Sequence, residues 1–96
     1  MKILITTPFD PADFINDDED AIVFLNDALE SGDPKVVASA LGVIARARGA
    51  TGVARAADVS RASLYSGLSE NGNPTLGLFM AVLKEVGLEL EVKKAA

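Results

Sequence analysis

The chain contains no cysteine, no histidine and no tryptophan. Lack of cysteine excludes a disulfide frame and a thiolate metal site, and suits a reducing compartment such as the cytoplasm. Together with the missing histidine it removes the best nucleophile, the commonest general base and most metal ligands. No serine sits in a Gly-x-Ser-x-Gly elbow, and no glycine-rich loop ends in Lys-Ser/Thr to cradle phosphates. Only a carboxylate-based enzyme stays open, and no spacing points to one; the expectation is a non-enzyme without cofactor or metal. Aromatic residues are scarce, one Tyr and four Phe, so the core must be aliphatic. No apolar run approaches the roughly 18 residues of a membrane span. The opening MKILITTPFD is too short and too soon acidic for a signal peptide, so a cytoplasmic protein without membrane contact is expected.

What is present is enough for one domain: 96 residues, 49% of them apolar. The net charge of −5 is unevenly spread. Residues 1–33 hold nine acids and one lysine, a net of −8; residues 34–96 hold eight bases and five acids, a net of +3. An acidic N-terminal segment and helix is therefore joined to a mildly basic core. A surface of that sign repels phosphates, so the first third should point away from nucleic acid or meet a basic protein.

Taken in order, Lys2–Thr6 reads as a short strand stopped by Pro8. Phe9, Phe14 and Ile15 follow as anchors of a turn-rich segment. Asp17 to Ser31 reads as a helix with carboxylates crowding its positive N-terminal end and an apolar stripe of Ile22, Leu25 and Leu29 beside Ala21 and Ala28. Asp17–Asp20 lacks the alternating ligands and central glycine of a calcium loop, so a solvated helix start is the better reading. Asp33-Pro34 opens a second helix running to Arg48, with Val36, Val37, Ala40, Leu41 and Ile44 toward the core. Arg46 and Arg48 fall in its last turn, where the helix dipole favours cations, and either could also reach a phosphate. Beyond the polar loop Ser69–Pro74, Thr75–Val86 reads as a helix carrying Leu76, Phe79, Leu83 and Val86. Leu88–Val92 alternates apolar and acidic, the pattern of a strand with one buried face.

The stretch Thr51–Leu68 organises the rest. Val53, Ala54 and Ala57 give one short helix an apolar stripe; Asp58 and Val59 make a turn, with Val59 as the plug. Ser60 N-caps a second helix that buries Leu64 and Leu68. This is the pattern of a helix-turn-helix whose second helix is free to enter a major groove, although an ordinary αα-hairpin would share it. Asp58 stands where such a turn usually has glycine, and Gly67 inside the second helix costs about 1 kcal/mol. On this reading Ser60, Arg61, Ala62 and Ser63 meet base edges and adjacent phosphates, with Arg61 best suited to guanine. Tyr65 and Ser66 lie one turn on, while Thr51, Asn71 and Asn73 could bind backbone phosphates. One such unit makes few contacts, so a dimer reading two half-sites is expected.

The order FDPADFINDDEDAIVFLNDALESGDP, ALGVIARARG and VARAADVSRASLYSGLSENGNPTLGLFMAVLKEVGLELEV resembles the addiction-module antidote proteins, HigA-like antitoxins with an Xre-type helix-turn-helix. ARARG, the VSRASLY core and the following GNP are its most specific parts. The resemblance implies an all-α, lambda-repressor-like bundle of about five helices, with the short terminal strands read above added. It also implies a homodimer that represses its own operon through operator DNA and neutralises a small basic toxin of the RelE/ParE type. The family's recognition helix falls on Ser60–Leu68. The sequence departs from the family pattern at Ser66, where relatives often carry Arg or Lys, and at Asp58. A module that keeps the fold but binds a protein rather than DNA is the alternative.

Overall fold

The computed structural model describes residues 10–96, and over them the chain is helical. A single 3-10 turn, Pro11–Phe14, precedes α1 (Asp18–Glu30), α2 (Pro34–Arg48), α3 (Ala50–Ala56), α4 (Arg61–Gly67) and α5 (Leu76–Glu85). The number of helices matches the expectation, and the starts of α1, α2, α4 and α5 are set by side chains. Asp17, Asp33, Ser60 and Thr75 each accept a backbone N–H of the first turn they precede, at 2.9–3.0 Å. Each satisfies one of the donors that a helix start leaves without an intrahelical partner.

The central helix is α2. Its middle, Ala38 and Ala40–Ala45, is buried nearly all round, as expected for a helix enclosed by its neighbours. It packs against α1 on one side and against α3, α4, α5 and the 3-10 turn elsewhere, with α1–α2 the largest interface. Among the described residues, Leu41, Ile44, Leu64, Val82 and Leu83 are the largest fully enclosed side chains, and all are aliphatic. Gly42 explains how α4 approaches so closely: a Cβ there would stand 2.1 Å from the Leu68 carbonyl oxygen. Only a residue without a side chain fits. The α3 axis leaves α2 at 107°, across Gly49 with φ +103°.

Four expectations need correction: the buried stripe of α1, Val36, Phe14 and the C-terminal strand. On α1 the buried face is Ala21, Leu25 and Ala28, whereas Ile22 and Leu29 are 44% and 39% exposed. The small alanines let α1 lie close on α2, and the larger Ile22 and Leu29 turn to its flank, beside Leu88 and Leu90. Val36 of α2 is likewise exposed, and Phe14 is 62% exposed, so of Phe14 and Ile15 it is Ile15 that packs against the core. Leu88–Val92 is no strand. Among the described residues none is a strand, so no neighbour supplies ladder bonds, and Leu90 and Val92 are exposed. Instead the Leu88 N–H donates to the Leu83 carbonyl at 3.0 Å, closing the end of α5 after Gly87 in the left-handed conformation. Phe9 and the strand expected at Lys2–Thr6 lie outside the described residues. No single helix among the described residues is long and apolar enough to cross a membrane.

Candidate nucleic-acid interface

The α3–α4 pair is built as the sequence foretells. Val53 and Ala54 are buried in α3, and Leu64 and Leu68 bury one face of α4 and its C-cap. Between them Asp58 adopts φ +60°, the left-handed conformation that the usual glycine would take. The Val59 N–H donates to the Ala54 carbonyl at 2.9 Å, and its side chain packs half-buried against the core. Gly67 is the last residue of α4 rather than an interior one, which lowers its cost. A Cβ there would meet Leu78 Cδ2 at 2.9 Å.

With one face of α4 buried, the other carries Arg61, Ala62, Ser63, Tyr65 and Ser66 of the candidate residues. Thr51, Ser60, Arg61, Ala62, Ser63, Tyr65, Ser66, Asn71 and Asn73 are all exposed. Ser60 is committed to the cap: its Oγ accepts from the Ser63 N–H at 3.0 Å and also bonds Ser63 Oγ at 3.0 Å. Ser66 Oγ donates to the Ser63 carbonyl at 3.3 Å. Arg61 lies along the helix surface, its Nη2 donating to the Tyr65 hydroxyl at 3.2 Å and its guanidinium 5.5 Å from the ring centroid. The ring holds the cation by its quadrupole while leaving the remaining donors free.

Thr51, Arg61 and Tyr65 line one open cleft of about 520 Å³, together with Arg46 from the end of α2. Asn71 and Asn73 are elsewhere. Asn71 lines a groove with Asp27, Asp33 and Glu70 as well as Lys35, and Asn73 lines an apolar one with Leu29, Pro34, Leu76 and Phe79. The cleft at α4 therefore gathers three of the nine named residues, and two of the others face different surroundings.

The acidic third, expected to point away from nucleic acid or to meet a basic protein, lies in part beside this surface. Asp10 and Asp13 line the same cleft as Thr51 and Arg61. Asp10 Oδ1 accepts from Arg46 Nη2 at 2.8 Å and from the Ala12 N–H at 3.0 Å. The backbone bond from Ala12, then the Arg46 guanidinium, hold the Asp10 carboxyl below its ordinary range. Arg48 pairs with Asp18 at the start of α1. Both arginines of the last turn of α2 are thus engaged by N-terminal acids. A pairing 36 residues apart in sequence leaves no periodic signal. The only hint lay in the opposite charges of the two halves.

A family model described as "Probable addiction module antidote protein" matches residues 5–94 of the chain. The chain belongs to this family. An uncharacterized protein of Haemophilus influenzae is 39% identical to it over 87 residues, which cover 91% of this chain and 90% of that protein. No solved structure matches the chain. Membership of an antidote family implies a toxin as partner.

Proposed function

We propose that the protein is the antitoxin of a type II toxin–antitoxin module and a dimeric repressor of its own operon. In this reading it acts by binding, without catalysis, in the manner of HigA-like proteins with a lambda-repressor-like helix-turn-helix. The observation that carries the DNA-binding part is the α3–α4 unit. Its second helix is capped by Ser60, buried along Leu64–Leu68, and presents Arg61 and Tyr65 outward beside Thr51 and Arg46. The N-terminal half of α4 enters the major groove, Arg61 reads guanine through paired donors, and Thr51 and Arg46 fix the register on backbone phosphates.

A dimer supplies two such helices for half-sites about 34 Å apart. The exposed Leu76 and Met80 of α5, 74% and 50% accessible, support that part of the proposal. The toxin, small, basic and of the RelE/ParE type, is bound by the acidic N-terminal third, where the net charge of residues 1–33 is −8. Loss of toxin capture only on changes in residues 34–96 would count against that assignment.

The test of DNA binding is titration of the protein on duplex from its own upstream region, with Arg61→Ala alongside. Tight binding weakened at least tenfold by the substitution supports the repressor. The second reading, a protein-binding module with little DNA affinity, draws on Asp10 and Asp13 in the cleft and on Ser66 in place of a base. It predicts no binding to upstream DNA and full retention of the toxin.

A further inference from the structure

We infer that the acidic N-terminal turn is a guard on the candidate DNA-facing cleft: Asp10 and Asp13 occupy the space beside Arg46 and Arg61 that a backbone phosphate would need. The inference rests on the DNA-binding reading above and adds a regulatory contact to it. Three observations meet here. Asp10 bonds Arg46 across 36 positions of sequence at 2.8 Å. Asp10 and Asp13 share one cleft with Thr51, Arg61 and Tyr65. Arg48, next to Arg46 in the same helical turn, is tied to Asp18, so the N-terminal segment is held at two points.

A phosphate approaching Thr51 and Arg61 meets two carboxylates, and the repulsion acts at short range within a cleft of about 520 Å³. It also cannot use Arg46 until Asp10 releases it. The Arg46 and Asp10 side chains are 35% and 43% exposed, so water competes for both, and the pair opens readily. The guard therefore weakens binding without abolishing it. Whatever draws the turn away, or neutralises its charge, returns Arg46 to the phosphate. Asn in place of Asp10 keeps an oxygen to accept from the Ala12 N–H and removes only the charge.

The experiment measures affinity for duplex DNA from the protein's own upstream region, at several salt concentrations, for wild type and variants. Asp10→Asn with Asp13→Asn is expected to tighten binding about three- to tenfold at low salt. It should also steepen the dependence of log K on log salt by about one, because Arg46 becomes a further phosphate contact. In an Arg46→Ala background the gain from Asp10→Asn should shrink to the relief of repulsion alone, and the steeper salt dependence should disappear. Glu89→Gln with Glu91→Gln makes the same change of charge in the cleft between α1 and the C-terminal segment, which shares no residue with this one. It should alter affinity less than twofold. Should Asn disturb the turn, as seen by circular dichroism, Asp10→Ser offers a second neutral acceptor for the Ala12 N–H. An equal gain from both pairs of neutralisations, or no gain at Asp10 and Asp13 while Arg61→Ala still weakens binding, overturns the guard and leaves the DNA-binding reading standing. No binding by wild type or any variant at low salt overturns both.

Discussion

Asp58 shows how a single residue reports on a backbone. Its φ of +60° is a conformation that glycine takes freely and that aspartate tolerates better than most residues. Asp58→Gly should leave stability unchanged or raise it by up to about 1 kcal/mol, whereas Asp58→Val should lower it by about 1–2 kcal/mol. Urea unfolding followed by circular dichroism measures both. Ser60 is the second such residue: its Oγ accepts from the Ser63 N–H, so Ser60→Ala should cost about 1 kcal/mol by the same assay. The turn and the cap were legible in the sequence because they depend on neighbours two or three positions away. The Arg46–Asp10 pair was not, since nothing local links residues on separate elements. Only the structure shows that the last turn of α2 and the segment before α1 meet.

At the scale of elements, the helices were legible from caps and periodicity, and the faces they bury were less so. The hydrophobic period of α1 admits two neighbouring stripes, one through Ile22 and Leu29, the other through Ala21 and Ala28. Close approach to α2 selects the smaller residues, and that choice is made by the partner helix. The C-terminal alternation misled for a related reason: Leu88–Val92 carries the pattern of a strand, but a strand needs a neighbour, and Leu88 instead completes the end of α5. Gly42 marks the tightest contact between elements. Gly42→Ala would drive a methyl into the Leu68 carbonyl and should destabilise the fold by about 1–3 kcal/mol, read as a shift in the urea midpoint. The loss should exceed that of Gly52→Ala in α3, where a Cβ has open space around it.

On the scale of the whole molecule, the opposite charges of its two parts are folded against each other rather than kept apart. Arg46 and Arg48 are joined to Asp10 and Asp18, while Arg61 stays outward on Tyr65. On α5 the apolar Leu76 and Met80 are exposed, and Leu76 lines the cleft of Leu29, Pro34 and Phe79. If this face joins two copies, Leu76→Asp with Met80→Asp should convert the dimer to monomer in sedimentation, keep the helical content, and weaken DNA binding at least tenfold. The candidate site was therefore legible to the extent that it sits on one helix, Arg61 through Ser66. Its surroundings, including the acids beside it, came from tertiary packing. The central claim is that α4 binds DNA, and the most direct measurement is the affinity for upstream duplex at two salt concentrations, wild type against Arg61→Ala. The account predicts binding that falls steeply as salt rises and is at least tenfold weaker in the variant. Binding indifferent to salt and to Arg61, or none at low salt from a folded protein, would contradict it.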